Sequence, residues 1–197
     1  MTETAAIIST ERLDLIPLAP AVLAASLRGD RAAAEELLGL TVPPDWFRKQ
    51  RLLEMRLQQL REQPSLQPWL LRAMAFREQR LMVGYIGFHT QPDPEYLRDL
   101  APGGVEYGYT VYSPFRRRGF AREACRALMG WAREEHQVIR FVVSISPDNA
   151  PSLHLAQSFG FQQVGSHIDE VDGLEYIYVL DAGGSALGAG PTEESDE

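Results

Sequence analysis

Several residue types and patterns that mark particular protein classes are scarce in this chain. Cysteine occurs once, at Cys125, so an internal disulfide is excluded, and its place on the apolar face of a helical pattern predicts a buried thiol. No apolar run reaches the length that spans a membrane. The first ten residues lack the basic and then apolar pattern of a signal peptide. We therefore expect a cytoplasmic protein with no membrane partner.

Lysine is equally scarce, and this argues against one well-known class of phosphate site. The one lysine is Lys49, no G-x-x-x-x-G-K-[ST] occurs, and no G-x-G-x-x-G follows a predicted strand. Arginine carries the basic charge, with seven arginines against three glutamates between 111 and 140, in a chain of net charge −8. Such a basic island suits a small polyanion better than nucleic acid, whose binding proteins spread positive charge over a whole face. The four histidines have no metal-ligand spacing, so we expect no metal.

The pattern of apolar and turn-forming residues predicts one domain, 1–181, followed by an acidic Gly/Ala/Ser tail, 182–197, that we expect to be disordered. The long loop 91–104 could line a substrate mouth, or it could be a plain surface excursion. The predicted elements are a strand 7–18, helices 21–27 and 32–40, a helix capped by Asp45 and ending near 62, a hairpin of 69–77 and 81–89, a central strand 105–112, a helix to about 136, a strand 139–145, a helix 153–159 ended by Gly160, and strands 161–168 and 174–180 turned at Val171-Asp172-Gly173.

The central strand leads into its helix through the segment Arg116 to Ala121, which reads R-x-x-G-x-A. The small residues Gly119 and Ala121 let a ligand approach the backbone closely. The start of the helix adds unpaired N–H groups and the positive end of the helix dipole. The segment therefore predicts an anion site, for which phosphate is the usual ligand. Taken alone, the same six residues also fit an arginine-rich turn that caps a surface helix.

Flanking motifs resemble those of GNAT acetyltransferases of the RimJ/RimL branch. Arg116 to Ala121 is similar to the coenzyme A loop of the family, [QR]-x-x-G-x-[GA]. Residues 106–109 resemble its E-x-G-Y strand, and residues 119–123 resemble its G-Y-A-T-E. Asn149-x-x-Ser152 with Phe159-Gly160-Phe161 resembles its N-x-x-S…L-G-F, and residues 10–15 resemble its opening strand.

Two positions depart from the family pattern. Arg117 stands where many members have glycine, which predicts a stiffer loop. Ala156 stands where other GNAT branches place a tyrosine that acts as general acid, so that role does not transfer to this chain.

The resemblance implies the GNAT fold, an α/β arrangement of about seven strands in a mixed, mostly antiparallel sheet that is splayed in the middle and flanked by helices. It also implies that acetyl-CoA is the cosubstrate and that a primary amine, either a protein N-terminus or a small amine, attacks it directly in a ternary complex. A monomer or a homodimer is expected. Two other functions fit the same loop: a non-catalytic acyl-CoA-binding module, and a protein that binds a nucleotide or phosphosugar.

A coenzyme site follows from the resemblance. The backbone of Val111 and Tyr112 would pair with pantetheine, and Asn149 would bridge the splayed strands and pantetheine or simply cap its helix. Backbone amides of the loop would hold the diphosphate, while its arginine side chains would reach phosphate oxygens or remain solvated surface charges. The implied loop residues are Arg116, Arg117, Arg118, Gly119, Phe120 and Ala121.

The resemblance places two catalytic candidates beside this site. Glu106 would deprotonate the amine through water, or would only orient the substrate. Ser152 would hydrogen-bond or protonate the leaving thiolate, or would cap the backbone of its own helix. A backbone N–H near Thr110 or Val111 would hold the acetyl oxygen. Weaker substrate-pocket candidates are Trp46, Phe47, Tyr107 and His89; core or rim packing is the alternative for the aromatic residues, and a solvated strand end for His89.

Overall fold

The computed structural model of the chain describes residues 5–169 and 173–183, and the structural statements below concern these residues. They form one eight-stranded sheet with helices on both faces, in agreement with the predicted α/β class. The strands are β1 Ile8–Ser9, β2 Leu13–Pro17, β3 Arg72–Phe76, β4 Leu81–Phe88, β5 Val105–Val111, β6 Arg140–Ile145, β7 Gln162–Asp169 and β8 Gly173–Asp181. The helices are α1 Pro20–Leu27, α2 Arg31–Leu38, α3 Pro44–Phe47, α4 Gln50–Glu62, α5 Phe120–His136 and α6 Ala150–Phe159.

The sheet has the spatial order β1-β2-β3-β4-β5-β6-β8-β7, and its one parallel pair lies in the middle. β5 and β6 are parallel because helix α5 connects them as a crossover, which parallel neighbours require. They pair only at Val105 with Phe141 and at Glu106 with Val142. Beyond Glu106 the two strands separate, so the predicted splay in the middle of the sheet is confirmed.

Two hydrophobic cores lie on opposite faces of the sheet. On one face, α5 buries a stripe at helical spacing, consisting of Phe120, Ala124, Cys125, Leu128, Met129 and Ala132. On the other face, α1, α3 and α4 pack on the sheet through residues such as Leu23, Trp46 and Leu57. Each fully buried leucine or methionine contributes about 1.5–3 kcal/mol relative to exposure. The central strand β5 is therefore covered on both faces, and its open side is the gap toward β6.

The predicted first strand, 7–18, is wrong in one respect, because it forms two strands and not one. β1 and β2 are antiparallel neighbours joined by a tight turn, in which Ile8 pairs with Leu15. Thr10 closes this turn: its backbone N–H donates to the Leu13 carbonyl at 2.8 Å, and its hydroxyl oxygen accepts from the Leu13 N–H at 2.8 Å. The extra strand raises the count from about seven to eight among the described residues.

The predicted helix cap at Asp45 is also wrong. Asp45 lies inside the one-turn helix α3, where it pairs with Arg48 at 3.3 Å, and α4 starts only after Lys49. The short turn directs Trp46 into the second core, where it is fully buried and its indole N–H donates to Ser26 Oγ at 2.8 Å. Lys49 then leaves helical geometry, with φ −92° and ψ 39°, which separates the two helices.

The other elements agree closely with the sequence prediction. The β3–β4 hairpin turns through Arg80 at φ 47°, and α5 ends at His136. α6 starts at Ala150, three residues earlier than predicted, and Gly160 ends it at φ 88°. Val171 and Asp172 of the predicted last turn, and the tail from residue 184 onward, lie outside the described residues. Among the helices described, none is sufficiently long and apolar to cross a membrane.

Candidate active site

The open side of β5 offers backbone groups that no strand occupies beyond Glu106. On the β4 side, His89 N–H donates to the Glu106 carbonyl at 2.8 Å and Tyr112 N–H donates to the Val83 carbonyl at 3.0 Å. In an antiparallel ladder the residues that bond to one neighbour alternate with those that face the other side. The even-numbered residues of β5 therefore bond to β4, and the N–H and C=O groups of Tyr109 and Val111 face the gap.

This alternation corrects the prediction for Tyr112. Its N–H is bonded to Val83, and its carbonyl accepts from Phe115 N–H at 2.9 Å, so its backbone is committed to the fold. The same alternation selects the Val111 N–H over that of Thr110 as the donor facing the gap. The Val111 carbonyl accepts from Arg116 Nε at 3.0 Å, which ties the loop to the end of the strand.

The gap between the separated strands forms a cleft of about 350 Å³. On its α6 side the hydroxyl of Tyr109 donates to Ser152 Oγ at 3.1 Å. Asn149 lies beside them and caps α6, since its Oδ1 accepts from Ser152 N–H at 3.3 Å. Asn149 is thus a helix cap that also lines the cleft, whereas the Ser152 hydroxyl bonds Tyr109 and not its own backbone. The lining residues are Tyr107, Gly108, Tyr109, Val143, Ser144, Ile145, Ser146, Asn149, Ser152 and Glu175.

The loop after β5 places backbone amides at the start of α5, next to the end of the gap. Arg117 and Gly119 both adopt left-handed backbone, at φ 57° and 82°. The first helical bond runs from Glu123 N–H to the Gly119 carbonyl at 3.1 Å. The amides of Phe120, Ala121 and Arg122 precede that bond and point out of the helix end, together with the positive end of the dipole. This geometry fits a diphosphate.

Arg12, from the turn between β1 and β2, supports this loop. Its Nε donates to Glu123 Oε2 at 2.7 Å, a second guanidinium nitrogen lies 2.6 Å from the same oxygen, and a third donates to the Arg118 carbonyl at 2.9 Å. A Cβ added at Gly119 would lie 3.1 Å from the Arg12 guanidinium. Burial would raise the pKa of Glu123, but hydrogen bonds from Thr10 and Arg12 outweigh it and lower that pKa.

The three loop arginines differ in their surroundings. Arg116 bonds the Val111 carbonyl, so its Nε serves the loop itself. Arg118 lies over the rings of Phe120 and Phe76, at 5.4 and 6.0 Å. Arg117 is exposed. Phe120 is buried in the core, so it can reach a ligand only through its backbone amide.

A polar cluster lies on the opposite face of β5, where Glu106 is nearly buried at 7% exposure. Ser144 Oγ donates to Glu106 Oε1 at 2.7 Å, and His89 Nδ1 lies 3.4 Å from Glu106 Oε2. The Tyr96 hydroxyl, from loop 91–104, also donates to this carboxylate. Because Ser144 lines the cleft as well, its hydroxyl connects the cleft to the Glu106 cluster.

The surroundings of Glu106 favour its charged form. Burial would raise the pKa of Glu106, but hydrogen bonds and charge from His89, with hydrogen bonds from Ser144 and Tyr96, lower it below the usual value. Arg56 of α4 adds a buried cation nearby: it donates to the His89 carbonyl at 2.9 Å. Burial lowers the pKa of Arg56 to about 10, against the opposing charges of Tyr96 and Glu106.

Of the three aromatic residues predicted to wall the acceptor pocket, only Tyr107 lines the cleft. Trp46 is fully buried in the second core, and Phe47 packs against that core. Tyr107 lines the cleft but is almost completely buried, and its hydroxyl bonds Cys125. Cys125 is the predicted buried thiol, and burial raises its pKa to about 12. His89, by contrast, is 40% exposed and contacts Glu106.

Five site residues received no role from the sequence: Arg12, Arg56, Tyr96, Tyr109 and Ser144. Three of them lay in segments that the sequence had marked: Tyr109 in the E-x-G-Y motif, Arg12 in the opening strand, and Tyr96 in the loop 91–104. Within 5–169 and 173–183, no group of three or more His, Cys, Asp or Glu side chains is arranged to hold a metal ion.

The sequence family described as "Acetyltransferase (GNAT) domain" matches residues 12–162, which is more than half of the chain and contains every cleft-lining residue named above except Glu175. The chain belongs to the GNAT acetyltransferase family.

Curated relatives and solved structures are similar to this GNAT chain over different lengths. The "N-acetyltransferase 9-like protein" of Caenorhabditis elegans is 41% identical over 51 residues, and that of Dictyostelium discoideum is 40% identical over 53. Each match covers 25% of the relative's length. The first covers 25% of this chain and the second covers 26%.

Two solved structures have the same fold over nearly the whole chain. A GNAT-family acetyltransferase from Bacillus anthracis gives a TM-score of 0.58 at 16% identity, covering 90% of this chain and 99% of that one. RimL, a ribosomal alpha-N-protein acetyltransferase in complex with coenzyme A, gives 0.59 at 18% identity, covering 89% and 98%. At these identities the likeness is one of fold.

Proposed function

We propose that this GNAT protein transfers the acetyl group of acetyl-CoA to a primary amine by direct attack in a ternary complex. One observation carries the proposal. The cleft between β5 and β6 has phosphate-compatible amides next to its end and the Tyr109–Ser152 hydroxyl pair in its wall, and Ser144 connects it to the buried carboxylate cluster on the other face of β5. Two substrates can therefore meet in the gap from opposite faces.

The coenzyme side is assigned to the backbone of β5 and the start of α5. The free N–H and C=O groups of Tyr109 and the free N–H of Val111 pair with the pantetheine amides like an added strand. The amides from Arg117 to Ala121 hold the diphosphate, aided by the helix dipole. Arg117, which is exposed, supplies charge at the loop.

The leaving thiol is assigned to Ser152. Tyr109 donates its hydroxyl proton to Ser152 Oγ, which leaves the proton of Ser152 free to point into the cleft toward the sulfur. Burial raises the pKa of Tyr109 to about 12, so the phenol stays protonated at neutral pH and acts as a fixed donor. This pair supplies a proton donor at the cleft where other GNAT branches use a tyrosine at the position of Ala156.

The amine side is assigned to the cluster around Glu106. A charged carboxylate at the edge of the gap attracts the ammonium form of the acceptor and stabilises the positive charge that passes through the site. Its low pKa keeps it ionised at physiological pH. Tyr96, which reaches Glu106 from loop 91–104, makes that loop the rim of the acceptor entrance.

The motifs in 105–165 favour the RimJ/RimL branch, and the fold likeness to RimL is in keeping with it. Within that branch a protein N-terminal amine is a natural acceptor, and a small amine fits the same chemistry. Either acceptor would be presented to Glu106 from the face that carries α1 and α4.

The experiment is to mix the full-length protein, acetyl-CoA and a panel of amines that includes N-terminal peptides, and to follow free thiol. Thiol release that depends on one amine class, with matching acetylated product by mass spectrometry, supports the proposal. Tight binding of acetyl-CoA with no thiol release for any amine would favour a non-catalytic acyl-CoA-binding module. Tighter binding of ATP than of coenzyme A would favour a nucleotide-binding protein.

A further inference from the structure

His89 is an exposed ionisable member of the polar cluster around Glu106. It directly follows β4, and its side chain is 40% exposed, against 9% for Glu106. Its Nδ1 faces Glu106 Oε2 at 3.4 Å, so the carboxylate fixes the ring and selects the tautomer that carries its proton on Nδ1. The other ring nitrogen, Nε2, is then an acceptor.

That free nitrogen reaches along β5 toward the cleft. A Cβ added at Gly108 would lie 3.1 Å from His89 Nε2, so the ring occupies the space that the glycine leaves open. Gly108 lines the cleft, and it lies two residues beyond Glu106, which is about 7 Å along a strand. His89 therefore places an acceptor nitrogen beside Gly108, a residue that lines the cleft, whereas Glu106 is not part of that lining.

Glu106 itself has little capacity left for the amine. Its two oxygens accept from Ser144 and Tyr96 and face His89, and the side chain is nearly buried. Three elements bring titratable groups to His89. Glu106 of β5 contacts its ring, and Arg56 of α4 donates to its backbone carbonyl. Tyr96 of the loop 91–104 acts on it only through the Glu106 carboxylate. Of the charged pair, only the imidazole is exposed enough to meet a substrate.

We propose that His89 accepts the proton of the attacking amine and that Glu106 is its positioning residue. The inference rests on the proposed acetyl transfer. The amine enters as R–NH3+, His89 Nε2 takes one proton, and the nitrogen lone pair forms the C–N bond as the C–S bond breaks. A second proton leaves the nitrogen as the sulfur becomes a thiol, with Ser152 beside it. His89 then returns its proton to solvent, so that one proton is released for each acetyl group transferred.

The test compares four variants of the full chain with wild type, using the amine that wild type acetylates. His89→Gln should lower kcat/KM by about 10²-fold or more while coenzyme A affinity, measured by calorimetry, stays within twofold. His89→Ala should regain activity when free imidazole is added, which a merely structural role would not produce. His154→Gln is the matched control, because His154 is an exposed residue of α6 that does not line the cleft; it should behave as wild type.

The pH profile separates the two members of the pair. A histidine base loses activity as the pH falls through the histidine range, between about pH 8 and 5, whereas a carboxylate base would stay active well below that. Glu106→Gln should keep the acid limb and lower kcat/KM less than His89→Gln does, because Glu106 only positions the imidazole. Activity of His89→Gln within threefold of wild type, or absence of imidazole rescue, would overturn the assignment of His89. Failure of wild type to release thiol with any amine would instead overturn the proposed function and this inference together.

Discussion

Arg12 and Glu123 are 111 residues apart in sequence, yet they form a close ion pair at the start of helix α5. The carboxylate of Glu123 also accepts from the Arg12 backbone N–H at 2.8 Å, and a guanidinium nitrogen of Arg12 bonds the Arg118 carbonyl. The pair therefore joins the β1–β2 turn to the loop that we assign to the diphosphate. The pair holds the loop through the Arg118 carbonyl and the Glu123 side chain, so the amides of Phe120, Ala121 and Arg122 stay free.

Loss of the Arg12 side chain should loosen the loop and weaken coenzyme binding. We expect Arg12→Ala to raise the dissociation constant for coenzyme A by about tenfold, which corresponds to 1.4 kcal/mol. The free energy of unfolding should fall by only about 1 kcal/mol, because the Arg12 side chain is 38% exposed and solvent screens the pair. Calorimetric titration and urea unfolding measure the two quantities.

Arg31→Ala serves as the control, since Arg31 also pairs with a glutamate, Glu35 at 2.9 Å, but on the surface of α2. It should leave coenzyme affinity unchanged. Equal losses of affinity in the two variants would mean that the Arg12–Glu123 pair has no specific part in the loop.

Arg117 holds a left-handed backbone at φ 57°, which costs a residue with a Cβ about 1–2 kcal/mol. Arg117→Gly should relieve this strain, and after the entropy cost of glycine the protein should gain roughly 0.5 kcal/mol. The measurement is the midpoint of urea unfolding. Arg118→Gly is the control, because Arg118 is outside the positive-φ set and lies over two aromatic rings. A lower midpoint for Arg117→Gly than for wild type would contradict the strain.

Tyr109 and Ser152 should act as one unit on the leaving thiol. We expect Ser152→Ala to lower kcat by about 10²-fold or more and Tyr109→Phe by about tenfold, the value of one hydrogen bond. The double variant should be no slower than Ser152→Ala, because Tyr109 acts through Ser152. Tyr178→Phe, whose hydroxyl donates to Gln163 at 3.4 Å, is the control. Multiplicative losses in the double variant would show that the two hydroxyls act independently.

The lowered pKa of Glu123 predicts how stability responds to acid. Burial would raise this pKa, but hydrogen bonds from Thr10 and Arg12 lower it, so the folded state holds the charged form more strongly than the unfolded chain does. Its contribution is thus present above about pH 4.5 and is lost as the pH falls through the folded value. The difference in free energy of unfolding between wild type and Glu123→Gln should be largest near pH 7 and shrink below pH 4.5. Glu54→Gln, at an exposed position on α4, should show no such trend, and a constant difference for Glu123→Gln would refute the linkage.

The sequence predicted the elements around the site well, because local pattern determines them. The alternation in 105–112, the helical stripe that contains Cys125, and the small residues at Gly119 and Ala121 all depend on neighbours within one or two turns. The departure at Arg117 was also visible locally. Its positive φ agrees with the glycine that many family members have at this position.

The contacts that assemble the site could not be predicted, because they join residues that are distant in sequence. Tyr109 bonds Ser152 across 43 residues, and Ser144 bonds Glu106 across 38. The predicted helix start at Asp45 was wrong because tertiary packing outweighed the local capping signal. Burial of Trp46 separates α3 from α4 at this point. The commitment of the Tyr112 backbone to Val83 depends on strand register, which the sequence of β5 alone does not contain.

The central claim is that amides at the turn from Arg116 to Ala121 bind the diphosphate of acetyl-CoA, and Gly119→Val tests it most directly. Gly119 has φ 82°, and a Cβ there would crowd Arg12 at 3.1 Å, so the variant should distort the amides. Gly29→Val introduces the same kind of strain at φ 69°, with open space around it between α1 and α2. In calorimetric titration with coenzyme A, the account predicts at least a tenfold loss of affinity for Gly119→Val and wild-type affinity for Gly29→Val. Wild-type affinity for a folded Gly119→Val protein would contradict it.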